Sequence, residues 1–185
     1  FECLIKHSPK LESFVFKNSH GNVTIDFSVA KAVKALNTAL LKAHYGIDYW
    51  EFPDANLCPP IPGRVEYIHL LNALLKRSGV KDNITVLDIG TGASCIYPLL
   101  GQASYGWNVI ASEIDTSAMK AAQTIIDKNK LNDSITLRYQ DNEQHIITGV
   151  LSAKDKLSAT MCNPPFFKDE AHANESTLLK QKGLG

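Results

Sequence analysis

Asn163-Pro164-Pro165-Phe166 closes an apolar run of Leu157, Ala159, Met161 and Cys162. An asparagine amide, two imino acids that fix the backbone and an aromatic ring at a strand end make a holder for a flat, amino-bearing substrate. An ordinary turn after a strand can show the same Asn-Pro dipeptide, so upstream residues must decide between the two. There, Asp88-Ile89-Gly90-Thr91-Gly92 follows a β-branched apolar run. Such glycines let the backbone approach a ligand closely, and the helix that follows presents free amide donors. Glu113 ends the next apolar run, about 20 residues on, where an acid hydrogen-bonds ribose hydroxyls in dinucleotide folds. Arg64 follows the loop Leu57-Cys58-Pro59-Pro60-Ile61-Pro62-Gly63, whose prolines remove backbone donors and hold a fixed shape. An arginine opening a helix after that loop can aim its guanidinium at a carboxylate or phosphate; the alternative is an exposed arginine without a partner.

These residues need strands and helices to position them. Ile84 to Ile89 reads as a buried parallel strand, Ala93 to Leu100 as a helix start, Val109 to Ser112 as a second strand, and Ser117 to Asn129 as a helix. Ser134 to Tyr139 and Leu157 to Cys162 supply a third and a fourth strand. Alternating strands and helices predict an α/β fold with a parallel sheet. Before it, Ala30, Val33, Leu36, Leu40 and Leu41 recur at helical spacing, with Asp26 or Ser28 as the cap and Gly46 past the end. Lys31, Lys34 and Lys42 on that helix are expected on a solvated face rather than on an RNA-contacting one. A further helix carries Val65, Ile68, Leu71, Leu74 and Leu75 and stops at Gly79.

The chain of 185 residues fits one core, with 44% hydrophobic and 21% charged residues. A formal net charge of zero leaves any nucleic-acid partner to a local basic patch. Cys3, Cys58, Cys95 and Cys162 are scattered, without metal-ligand spacing, and read as reduced thiols of a cytoplasmic protein, with no metal expected. No run of membrane-spanning length and no charged leader before an apolar region is present, so neither membrane insertion nor secretion is expected. A start at Phe1 reads as a fragment or a processed piece.

Cys95 stands where a nicotinamide-dinucleotide fingerprint wants a third small residue, and the order here is Asp-x-Gly-x-Gly. That order resembles class I methyltransferases, which use S-adenosyl-L-methionine, and Asn163-Pro164-Pro165-Phe166 resembles the (Asp/Asn)-Pro-Pro-(Tyr/Phe) motif of their amino-methylating members. Together with Leu57 to Arg64 and Asp88 to Leu99, these motifs resemble the RlmF family. Its members are bacterial 23S ribosomal RNA adenine-N6 methyltransferases, related to eukaryotic enzymes that methylate a spliceosomal RNA.

The resemblance implies a Rossmann-like, mostly parallel sheet lacking its C-terminal strands (residues 81–185), behind a helical N-terminal extension for substrate binding or a cofactor lid (residues 1–80). It implies S-adenosyl-L-methionine bound by Arg64, at its carboxylate, by Asp88, Gly90, Thr91, Gly92 and Glu113, and by Gln140 and Asn142 near its adenine. It implies catalysis at Asn163, Pro164, Pro165 and Phe166 on an adenine of 23S ribosomal RNA. The rival readings are methylation of a protein glutamine amide, a silent S-adenosylmethionine- or RNA-binding module and, more remotely, a cofactor-dependent oxidoreductase. Lys168, Lys180 and Lys182 could steer phosphates or lie in a solvated tail, while His145 and His172 have no evident partner.

Overall fold

A computed structural model describes residues 1–164. Pro165, Phe166, Lys168, His172, Lys180 and Lys182 lie outside the described residues. The chain opens with α1 (Glu2–His7), a 3₁₀ helix (Pro9–Phe14) and a hairpin of β1 (Val15–Lys17) and β2 (Val23–Ile25). The Asn18 side chain accepts the amides of His20 and Asn22 and shapes the hairpin turn. Leu11 and Ile25 pack with Ala32 and Ala39 of α2 (Ala30–Tyr45) in a small separate core.

The start of α2 departs from expectation. Asp26 Oδ1 accepts the Ser28 N–H and hydroxyl, at 2.9 and 2.6 Å, so the two polar residues close a turn on each other ahead of the helix. Val29 is left as the cap residue, with no side-chain bond. At the other end Gly46 takes the left-handed conformation expected of it. Lys34 does not lie on a solvated face: its ammonium donates to Phe52 O and Asp54 Oδ1 and stands 4.4 Å from the Phe52 ring centroid.

Helix α3 (Ile61–Arg77) begins inside the proline-rich loop, with Pro62 in its first turn, where the missing N–H is not needed. Arg64 is therefore already helical rather than the residue at which the helix begins. Asn37, buried on α2, secures this start: its amide donates to Pro59 O at 3.2 Å and to Cys58 Sγ at 3.4 Å, and its carbonyl accepts the Ile61 N–H.

The remaining elements are β3 (Thr85–Ile89), α4 (Ile96–Tyr105), β4 (Asn108–Glu113), α5 (Thr116–Lys128), β5 (Ile135–Tyr139) and β6 (Ala159–Cys162). The sheet order is β5-β4-β3-β6, all parallel. Asp115 caps α5 by accepting the Ser117 and Ala118 amides. Side chains alternate across the sheet as the pleat requires. Val86 joins the large core with Trp50, Leu99, Trp107 and Ile125, whereas Leu87 packs on the opposite face with Ile110 and Val150. Helix α3 shares the large core through Val65, Ile68 and Leu75, so the change of packing unit falls within α2. Among the described residues no helix is long and apolar enough to cross a membrane.

Chain connection reverses at β3: β4 lies on one side, reached through α4, and β6 on the other. Parallel sheets bind ligands in the crevice outside the carboxyl ends of strands at such a switch point. The carboxyl ends of β3, β4 and β6 are where the sequence put its chemistry.

Candidate active site

Gly90 and Thr91 leave β3 in a tight turn whose two amides donate to Ser112 O on β4, at 2.9 and 3.0 Å. Gly90 and Gly92 have φ of 72° and 68°, and a methyl built on either meets nothing within 4 Å. Left-handed backbone facing open space is what close approach of a ligand requires, and glycine supplies it without strain. The turn continues through Cys95, whose φ of 50° is unusual for a residue with a side chain, and α4 starts at Ile96, later than the expected Ala93. Trp50, fully buried on the segment before α3, donates its indole N–H to Ser94 O at 2.8 Å and ties this turn to the core.

Glu113 also holds the loop. Oε2 accepts the Gly92 N–H at 2.8 Å, and Oε1 accepts the amides of Ile114 and Asp115 at 2.8 and 3.0 Å. A carboxylate has about four lone-pair positions. Three backbone donors thus leave Glu113 little spare capacity for ribose hydroxyls unless Gly92 yields its bond.

Asp88 is buried, and its Oδ2 has no hydrogen-bond partner among the described residues. Burial pushes its carboxyl up to about 7, with Thr91 hydrogen bonding opposing the rise and the Glu113 charge adding to it. Nearby, Arg64 Nη1 donates to the Tyr97 hydroxyl at 2.9 Å and its guanidinium lies 5.5 Å from that ring, while Arg64 Nε is buried without a partner among the described residues. Tyr97 feels the charges of both Arg64 and Asp88, yet the ion pairs among the described residues do not join these two to each other. A guanidinium and a carboxyl near one phenol, neither with an ionic partner among the described residues, suit a ligand that carries both a carboxylate and an ammonium.

Beyond the turn lies an open cavity of about 160 Å³, lined in part by Gly90, Glu113, Ile114, Gln140, His145 and Ile146. Gln140 lines it but turns its amide into the loop that follows β5, so it is a strut as much as a wall. Asn142 does not line it: its side chain accepts the Gln144 N–H at the surface. His145, for which the sequence offered no evident partner, is exposed and lines the cavity from that loop.

The register pairs Ile89 of β3 with Cys162 of β6, which places Asn163 beside the start of the glycine turn. Asn163 is half-buried and Pro164 exposed. Arg64, Asp88, Gly90, Thr91, Gly92, Glu113, Gln140, Asn163 and Pro164 therefore converge on one edge of the sheet, and Asn142 stands apart. Sequence reasoning missed Trp50, Tyr97, Ile114 and Ile146. Tyr97 was legible in principle, because it lies in the first turn of the helix after the glycine turn; nothing local marks the others.

The whole chain, residues 1–185, matches the family described as RNA methyltransferase. Ribosomal RNA large subunit methyltransferase F of Pseudomonas entomophila (strain L48) is 44% identical over 190 residues, covering all of this chain and 60% of that protein. The chain thus spans about three fifths of the length of that relative. The N-terminal domain of human METTL16 in complex with SAH is similar at 30% identity with a TM-score of 0.79, over 98% of this chain and 73% of that one. The hMettl16 catalytic domain in complex with MAT2A 3'UTR hairpin 1 is similar at 33% identity with a TM-score of 0.81, over 93% of this chain and 57% of that one. With all its residues inside the family match and its glycine turn, acids and asparagine at the switch point of the same fold, the chain belongs to the RNA methyltransferase family.

Proposed function

We propose that this chain carries the cofactor and amine sites of an enzyme that methylates N6 of an adenine in 23S ribosomal RNA with S-adenosyl-L-methionine. The observation that supports this reading most is the Ile89–Cys162 register, which sets Asn163 next to the glycine turn. The ribosomal RNA methyltransferase of Pseudomonas entomophila supports the ribosomal substrate, and the METTL16 structures with SAH and with an RNA hairpin support the cofactor and an RNA partner. A ribosomal substrate also places the activity in the cytoplasm.

The residues fit the cofactor. Asp88 Oδ2 and Arg64 Nε, without partners among the described residues, would complement the ammonium and carboxylate of its methionine end, and the open faces of Gly90 and Gly92 leave room for close approach to the backbone. Glu113 would hold the ribose if its Gly92 bond gave way to a hydroxyl, and Ile114 and Ile146 would offer apolar surface to the purine. When bound, the cofactor supplies a methyl group on a positively charged sulfonium.

The amine site works by acceptance. The lone pair of an exocyclic adenine amine is delocalised into the ring, which makes it a poor nucleophile. Asn163 Oδ1 and the Pro164 carbonyl accept its two N–H bonds, favour a pyramidal nitrogen and stabilise the positive charge that develops there. Phe166, outside the described residues, is assigned to the base by its type and its place in the motif alone; an aromatic ring stacked on a base is worth about 1–3 kcal/mol. Orientation does most of the remaining work, and the methylated nitrogen loses its proton to water without a strong base. An adenine within structured RNA must be splayed out to reach this edge.

The N-terminal stretch, residues 1–80, serves substrate binding and cofactor closure in this reading. It contributes Arg64, the Trp50 tie to the cofactor turn, and an open cleft of about 250 Å³ where Lys10 and Lys31 stand beside Phe14.

The test is incubation of the full-length protein with tritiated S-adenosylmethionine and separate pools of ribosomal RNA and protein, beside an Asn163→Ala variant. Label in ribosomal RNA that the variant fails to add is the expected result. Label in protein alone, or equal RNA labelling by the variant, overturns it.

A further inference from the structure

Nine consecutive residues after β5, numbers 141–149, are all exposed, and no helix or strand forms before β6. Yet this stretch delivers Glu143, His145 and Ile146 to the cavity beside the glycine turn. Its own backbone bonds are local, such as His145 N to Asn142 O and Val150 N to Ile147 O. Apolar anchoring begins only at Val150, which packs under the sheet with Leu151 and Leu157. A long exposed segment without regular structure or apolar anchors is expected to sample many conformations. Something else must hold its cavity-facing part.

Two side chains spaced two residues apart, and so on one face of the β5 strand line, do so. Gln140, buried, donates from Nε2 to Thr148 O at 3.1 Å and Ile146 O at 3.4 Å, while its Oε1 accepts the Asn142 N–H at 3.1 Å. Both of its polar atoms are spent on the loop. Arg138 grips the far shoulder: Nη1 donates to Val150 O at 2.8 Å, and Nη1 and Nη2 fork onto Asp155 Oδ2 and Oδ1 at 2.6 and 2.8 Å. Asp155 Oδ2 in turn accepts the Ser152 N–H and hydroxyl. This network, with the Arg138 hydrogen bond foremost, holds the Asp155 carboxyl well below the usual carboxylate range. Bidentate arginine–carboxylate pairs of this kind fix orientation as well as proximity.

We propose that Arg138 and Gln140 are positioning residues for the cofactor site: they hold the exposed loop so that Glu143, His145 and Ile146 form the wall against which the purine of the cofactor lies. The assignment rests on the S-adenosylmethionine reading above. Neither residue needs to touch the ligand with its reacting atoms. Their effect is on where the loop stands before binding, so their loss lowers affinity rather than the rate of transfer once the site is full.

The test uses the full-length protein and three variants. Arg138→Met removes the fork, Gln140→Glu replaces the donor to Ile146 O and Thr148 O by a repelling carboxylate, and Arg138→Lys keeps the charge but not the fork. Affinity for S-adenosylhomocysteine, the Michaelis constant for S-adenosylmethionine against kcat, and amide exchange of residues 141–150 are measured, with thermal unfolding as the check on fold. Arg138→Met and Gln140→Glu are expected to weaken S-adenosylhomocysteine binding about tenfold, to raise the Michaelis constant with kcat nearly unchanged, and to speed amide exchange of the loop. Arg138→Lys is expected to fall between them and the parent. Unchanged affinity in both strong variants, or weakened affinity with loop exchange unaltered, overturns the proposal. If the parent protein itself fails to bind S-adenosylhomocysteine, the cofactor reading falls, and exchange rates still decide whether Arg138 and Gln140 hold the loop.

Discussion

Replacing Asp88 by asparagine tests the site without the need for RNA. Burial raises this carboxyl from 3.8 to about 7, so the folded protein without ligand holds a proton there that the unfolded chain has lost. For a carboxyl raised on folding, the stability it contributes is fully present below the unfolded value and is lost as pH rises through the folded one. Between pH 3.8 and about 7 the loss approaches about 1.36 kcal/mol per pH unit. Across the whole window the upper bound is on the order of 4 kcal/mol. The carboxamide that replaces the carboxyl in Asp88→Asn does not titrate. In this variant the unfolding free energy, measured by urea titration at half-unit steps from about pH 5 to 8, is therefore expected to decline less with rising pH than in the parent. The gap between the two curves should widen toward about pH 7 and then level off. A second arm follows from the same carboxyl. An ammonium lodged against it would pull its proton affinity down, so S-adenosylhomocysteine binding by the parent should strengthen and release protons as pH rises from about 5 to 7. Asp88→Asn should bind about tenfold or more weakly and show no such proton release. Parallel unfolding curves for parent and variant across this pH range would refute the reasoning, because a buried, titrating Asp88 cannot leave them parallel.

Three further outcomes are expected. Asn163→Ala should lower kcat for RNA methylation at least a hundredfold while S-adenosylhomocysteine affinity, read by calorimetry, stays within about twofold, since removing acceptors used only for the developing charge costs about 2.7–4 kcal/mol. Trp50→Phe keeps the buried ring but leaves Ser94 O without its donor, and urea unfolding should show a loss of about 1–3 kcal/mol. Gly101→Ala should destabilise by about 1–3 kcal/mol in thermal unfolding, because its methyl would stand 2.5 Å from Trp107 Cε3; helix propensity alone predicts a gain of about 1 kcal/mol, so a raised melting temperature would refute the packing account.

Much of this architecture was legible residue by residue. Apolar runs around Val86, Val109 and Ile135 and the helical spacing around Ala118 to Ile126 placed β3, β4, β5 and α5 to within a residue or two, because each buries a face that its own side chains define. Gly90, Gly92, Glu113 and Asn163 could be placed at or just past strand ends because each closes or follows an apolar run, which is where a buried strand stops. Boundaries failed where a local choice had a tertiary competitor. Asp26 and Ser28 bonded each other rather than α2, and Cys95 adopted a left-handed turn that delayed α4, with Trp50 holding the neighbouring carbonyl from more than forty residues upstream.

What the sequence determined by itself is the chemistry at the carboxyl ends of the strands: a glycine turn, an acid on each of two strands, and an amide followed by proline. Residue type and strand periodicity suffice for that, since both are local. What only the tertiary structure decided is how those groups are held and which stay free. Glu113 is committed to three backbone amides, Asp88 Oδ2 and Arg64 Nε remain without partners among the described residues, and an exposed loop becomes a cavity wall through Arg138 and Gln140. Hydrogen-bond partners distant in sequence are chosen by where folding brings them, and no spacing along the chain records that choice.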